Sequence, residues 1–154
     1  MAQKQAHKKV DTISIDTSVL ISHLKGDRFA DETDSFLQSA LEERRQLIMS
    51  DVVYAELYTG IFLAEDPRSD EARVQNLLKV NGIEVRTSKS LKVARRAGEL
   101  YSMVLKGSAS TGRILPDMLI AAQAEFTSKE FVTWNEADYK DLELRIPVLS
   151  PSKF

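Results

Sequence analysis

Acidic side chains recur in this sequence where solubility does not call for them. Asp16 closes the alternating run Thr12-Ile13-Ser14-Ile15. Glu56 stands inside Val52-Val53-Tyr54-Ala55-Glu56-Leu57-Tyr58, and its helical neighbours Val52, Val53, Thr59 and Gly60 include no cation. Asp117 follows Pro116 and opens the apolar run Met118-Leu119-Ile120-Ala121-Ala122, while Asn135 and Asp138 follow Phe131-Val132-Thr133-Trp134. Each has an ordinary explanation. Asp16 suits a helix N-cap, Glu56 a solvent-facing strip, Asp117 the positive end of a helix dipole, and Asn135 or Asp138 a turn. Thr17 and Ser18 are also capping residues, however, so the cap does not require Asp16. Carboxylates brought together repel and raise one another's pKa, and a divalent cation removes that penalty. Phosphodiester hydrolysis is a chemistry such a cluster supports, because a cation lowers the pKa of water and stabilises the leaving oxygen.

Composition narrows the choice. There is no cysteine, which excludes disulfides, thiolate metal sites and a cysteine nucleophile. His7 and His23 are the only histidines, which argues against a zinc site or a two-histidine mechanism. A metal would be held by oxygen, favouring Mg²⁺ or Mn²⁺. No apolar run reaches the roughly 18 residues of a membrane span, and a cytoplasmic location is the natural expectation. Residues 1–10 carry Lys4, Lys8 and Lys9 with no apolar segment behind them. They read as a frayed basic tail before one domain over residues 11–154. Net charge is −2, yet Lys89, Lys92, Arg95, Arg96, Lys106 and Arg113 crowd a segment where only Glu99 opposes them. That segment is either a solvated helix face or a rim that attracts phosphate.

The elements that must position these residues follow from periodicity. Strands are expected at Thr12–Asp16, Leu47–Ser50, Ile83–Val85, Phe131–Trp134 and Pro147–Leu149. Helices are expected over Val19–Lys25 with Thr17 or Ser18 as cap, over Ser35–Arg45 with Phe36, Leu37, Ala40 and Leu41 inward, and over Val52–Ala64 behind Ser50. Others are expected over Glu71–Val80 behind Ser69 or Asp70, over Ser90–Lys106, and over Pro116–Thr127. The helix bearing Glu56 is apolar around most of its circumference and is expected to be largely buried, with Gly60 allowing a close approach. Tyr54, Tyr58 and Phe62 on it belong to the core, or to a groove or contact surface. The alternation implies an α/β fold: a mostly parallel sheet of four or five strands with helices on both faces, and ligands at the carboxyl ends of the strands.

Taken in order, Ile15-Asp16-Thr17-Ser18-Val19-Leu20, Val53-Tyr54-Ala55-Glu56-Leu57, Pro116-Asp117-Met118-Leu119-Ile120-Ala121-Ala122 and Thr133-Trp134-Asn135-Glu136-Ala137-Asp138-Tyr139 resemble the PIN domain, and specifically the VapC-type toxins of toxin–antitoxin systems. The resemblance runs from about Ile13 to Leu149. It implies an Mg²⁺- or Mn²⁺-dependent endoribonuclease, often a homodimer, inhibited by a small antitoxin that inserts into the active-site groove. Asp16, Glu56 and Asp117 match the family's core acids, and Asn135 stands at the fourth position with Asp138 close behind. Asn135 keeps an oxygen ligand without the charge, or Asp138 takes its place. The implied reaction leaves a 5′-phosphate and a 3′-hydroxyl, with Thr17 or Thr133 helping to position phosphate or water. A non-catalytic PIN-like module that binds RNA or protein is the alternative. The segment Gly107–Ile114 imitates a phosphate-binding loop but has Arg113 and Ile114 where lysine and a hydroxyl are required, and it follows a helix, so an NTPase is rejected. An aspartyl-phosphate enzyme would need a second acid where Ser18 stands.

Overall fold

The computed structural model describes residues 11–107 and 112–154. The expected basic tail and the middle of the Gly107–Ile114 segment lie outside the described residues. Five strands, β1 (Thr12–Ile15), β2 (Gln46–Ser50), β3 (Glu84–Arg86), β4 (Glu130–Val132) and β5 (Val148–Leu149), form one all-parallel sheet in the order β3-β2-β1-β4-β5. Ile13, Ile15, Leu47, Met49, Phe131 and Val132 are buried in it. Near-continuous apolar strands are expected when a parallel sheet is covered on both faces. Among the described residues six α-helices surround it: α1 (Thr17–Lys25), α2 (Ala30–Glu42), α3 (Asp51–Leu63), α4 (Pro67–Val80), α5 (Leu91–Lys106) and α6 (Leu115–Thr127). Short 3₁₀ turns follow at Glu136–Leu142 and Pro151–Lys153. With this strand order, the right-handed rule for parallel crossovers assigns the helices after β1 and β2 to one face and those after β3 to the other.

The chain moves outward from β1 to β3, then returns to lay β4 on the other side of β1. The reversal of strand order therefore falls between β1 and β4, the switch point where open α/β sheets bind ligands. The two strands stay paired to their last residues, with Ile15 opposite Val132. The Asp16 amide then donates to the Val132 carbonyl at 2.9 Å.

Several local expectations are corrected. Asp16, rather than Thr17 or Ser18, occupies the N-cap position of α1, and its side chain makes no capping bond. Helix α2 starts at Ala30, not Ser35. Asp27 Oδ1 accepts the Ser22 hydroxyl and the Phe29 amide at 2.8 and 2.9 Å, folding the chain into a helix at once, and Asp31 and Glu32 then suit its first turn. Leu41 is exposed rather than inward. Helix α4 starts at Pro67 because Asp66 caps it, accepting the Ser69 amide at 3.1 Å. Only Val53, Leu57 and Ile61 of α3 are fully buried, so this helix is not buried all round. Gly60 faces open space rather than a close neighbour, and Phe62 is 73% exposed. The Tyr54, Tyr58 and Phe62 rings run along α3, with successive centroids 4.6 and 5.9 Å apart.

Candidate active site

Asp16 follows β1 directly, at the switch point, and is 8% exposed. One oxygen is fully engaged: Oδ2 accepts the Ser18 hydroxyl at 2.8 Å and the Thr133 hydroxyl at 2.9 Å. Ser18 Oγ in turn accepts the Trp134 amide at 3.1 Å, and Thr133 Oγ1 accepts the Asn135 amide at 3.1 Å. The chain leaving β4 is thereby clamped to the start of α1, and the carboxylate is fixed in orientation. Burial raises the Asp16 pKa above the usual carboxylate value, the two hydroxyls and the Thr17 backbone oppose that rise, and Asp117 adds to it.

Glu56 sits in the second turn of α3, half-buried, and its Oε2 accepts the Thr17 hydroxyl. Burial also raises its pKa, the Thr17 bond lowers it, and the charges of Asp16 and Asp117 raise it further. Asp117 stands in the first turn of α6, half-buried, where its Oδ2 accepts the Ile114 amide at 2.9 Å. Elements far apart in sequence thus bring Asp16, Glu56 and Asp117 within reach of one another's charge. Among the described residues no lysine or arginine forms an ion pair with any of the three.

Asn135 and Asp138 are placed differently. Asn135 is exposed at the head of the 3₁₀ turn Glu136–Leu142. Asp138, within that turn, faces Arg113, with Oδ2 3.3 Å from Nη2. The hydroxyls of Thr17 and Thr133, expected to help position phosphate or water, bond the Glu56 and Asp16 carboxylates. The basic segment does not form one continuous rim. Arg96 is buried and bonded through Nε and Nη2 to Glu125 at 2.8 and 2.9 Å, while Lys89, Lys92 and Arg95 are exposed.

The family model of the PIN domain matches residues 13–143. The chain belongs to the PIN-domain family. No curated protein sequence matches it significantly. Among solved structures, this PIN domain is similar to the DNA-bound VapBC of Salmonella typhimurium, at 18% identity and a TM-score of 0.74 over 92% of this chain and 99% of that one. It is similar to VapBC2 of Rickettsia felis bound to a promoter DNA fragment, at 19% identity and a TM-score of 0.71 over 90% and 98% of the two chains. It also resembles a toxin–antitoxin complex from Klebsiella pneumoniae, at 24% identity and a TM-score of 0.61 over 90% and 97%.

Among the described residues, no group of three or more acids and histidines is gathered tightly enough to hold a metal ion as placed. The donors nonetheless fit a hard divalent cation. They are all oxygens, Asp117 raises the pKa of Asp16, Asp16 and Asp117 raise that of Glu56, and among the described residues none of the three is in an ion pair with a side-chain cation. Sequence reasoning missed Ser18 as the group that orients Asp16. It also missed Arg113 and Tyr139, whose guanidinium and ring lie 4.4 Å apart beside Asp138. The Ser18 hydroxyl, two residues after a candidate acid, was the available signal; nothing local pairs Arg113 with Tyr139.

Proposed function

We propose that this PIN domain is a metal-dependent endoribonuclease serving as the toxin of a toxin–antitoxin pair. The observation that carries the reading is the electrostatic coupling of Glu56 to Asp16 and Asp117, and of Asp16 to Asp117, with none of the three in an ion pair among the described residues. Asp16, Glu56 and Asp117 would hold Mg²⁺ or Mn²⁺, with Asn135 or Asp138 as a further oxygen donor. The cation, when bound, would neutralise the carboxylates and polarise water and phosphate. Ser18 and Thr133 keep Asp16 in one rotamer, and Thr17 does the same for Glu56, so the acids are oriented before substrate arrives. No histidine is needed as base: His23 is engaged with Asp34 on the outside of α1. Partnership with a small antitoxin is supported by the similar solved structures, which are VapBC and toxin–antitoxin complexes. A homodimer and a cytoplasmic setting belong to the same reading; no helix among the described residues is long and apolar enough to cross a membrane.

The deciding experiment is cleavage of single-stranded RNA in Mn²⁺ and in EDTA by the wild type, Asp16→Ala and Asp117→Ala. Cutting is expected only by the wild type with metal. Unchanged cutting by both variants would refute the acidic cluster, and RNA binding without any cutting would favour the non-catalytic module.

A further inference from the structure

Arg113 lies in the short segment between the end of α5 and the start of α6, and it is 8% exposed. Its guanidinium carbon is 4.4 Å from the centre of the Tyr139 ring, and Nη2 is 3.3 Å from Asp138 Oδ2, an ion contact without hydrogen-bond alignment. Among the described residues neither Nη1 nor Nη2 has a hydrogen-bond partner. Arg96 shows what this fold does with an arginine it uses structurally, since that side chain bonds Glu125 and the Glu143 carbonyl and pairs with Glu99. Arg113 instead keeps its two terminal nitrogens unspent beside the acids, and Asp16 and Asp117 both act on its charge. Buried donors without partners are rare and costly to leave so.

The chemistry that would satisfy this fork is an oxyanion with two acceptor oxygens. A phosphodiester presents that pair, and a planar guanidinium binds it bidentately. A phosphate approaching three carboxylates also needs a positive group at its side. We propose that Arg113 is a phosphate-binding residue of this site, donating to the non-bridging oxygens of a single-stranded RNA substrate, with Asp138 and Tyr139 holding the guanidinium ready until the strand arrives. This rests on the nuclease reading above. Engagement turns the guanidinium away from Asp138. Gly112, just before Arg113, has φ at 68°, a backbone conformation that favours glycine. Asp138 is then a positioning residue for Arg113, and of the two further oxygen donors named above Asn135 is the one left for the cation.

The test is metal-free binding of a short fluorescein-labelled single-stranded RNA in EDTA, followed by anisotropy across a series of KCl concentrations. Arg113→Gln is compared with the wild type and with Lys79→Gln, which removes one exposed charge from the end of α4, just before β3. The expected result is about tenfold weaker binding by Arg113→Gln with a salt slope shallower by about 0.7, little change for Lys79→Gln, and unchanged Mn²⁺ affinity by calorimetry. Arg113→Lys keeps the charge without the fork and is expected to recover part of the loss, which also covers failure of the glutamine variant to fold. Equal binding by Arg113→Gln and the wild type would overturn the proposal. So would tighter Mn²⁺ binding by Arg113→Gln with RNA affinity intact, which would make the guanidinium a stand-in for the cation. If both folded variants bind as the wild type while the wild type still cuts RNA in Mn²⁺, only the role of Arg113 falls. A wild type that neither binds nor cuts RNA overturns both readings.

Discussion

At the scale of single residues, Asp16 carries opposing demands. Burial pushes its pKa above the usual 3.8, so the folded chain holds its proton more tightly than the unfolded chain does. Stability attributable to Asp16 is therefore intact below the unfolded value and falls as pH rises through the folded one. At neutral pH the ionised group destabilises the metal-free protein. Asp16→Asn is expected to raise the melting temperature in EDTA at pH 7 by about 3 °C, corresponding to about 1 kcal/mol in a chain of this length, and the gain should shrink toward pH 4. Mn²⁺ should reverse the order by stabilising the wild type alone. A variant that melts below the wild type in EDTA at pH 7 would contradict this. Thr133 works in the other direction, because its hydroxyl favours the ionised form of Asp16. Thr133→Val preserves shape and removes the donor. The acidic limb of the pH–rate profile should then move up by about one pH unit, a bond to a charged group being worth about 1.5 kcal/mol. A limb that stays in place would mean that Asp16 need not be ionised for cleavage.

At the scale of elements, the acids depend on helices that are themselves tied down by charge. Helix α6 positions Asp117 near its start and offers Glu125 near its end, where a side chain 1% exposed meets Arg96 of α5 in a two-pronged bond. Breaking a buried pair strands the other charge, so Glu125→Ala should destabilise by about 3–5 kcal/mol in urea titrations. The exposed Arg86–Glu84 pair on β3 is the comparison, and Glu84→Ala should cost less than about 1 kcal/mol. Similar losses for the two would show that the α5–α6 pair is not a structural tie. Much of this level was legible beforehand. Period-two alternation located β1, Ser50 and Ser90 located the starts of α3 and α5, and Gly26 located the end of α1. The early starts of α2 and α4 were not legible because Asp27 and Asp66 act through side-chain bonds to the backbone a few residues on, which apolar periodicity does not record. For the site, sequence order singled out Asp16, Glu56 and Asp117. The contacts of Ser18, Thr133, Arg113 and Tyr139 arise only when β4 closes against β1.

At the scale of the whole molecule, the candidate active site lies where the chain's two excursions meet, so its three acids are brought together only when the fold is complete. Glu56 offers the gentlest way to disturb that arrangement. It is half-buried, and a glutamine in its place retains an oxygen that can accept from Thr17 while removing the charge that Asp16 and Asp117 oppose. Glu56→Gln should therefore fold at least as stably as the wild type and yet lack a carboxylate for the cation. If the protein acts as a toxin, expression of the wild type without a partner should arrest growth within a few generations, and Glu56→Gln at matched protein levels should not. Circular dichroism of the purified variant separates loss of chemistry from loss of fold. Equal growth of the two strains, with the wild type still cutting RNA in vitro, would remove the toxin role and leave the nuclease. Arrest by both would place the harmful property in binding rather than in cutting, as expected of a module that sequesters RNA or a partner protein.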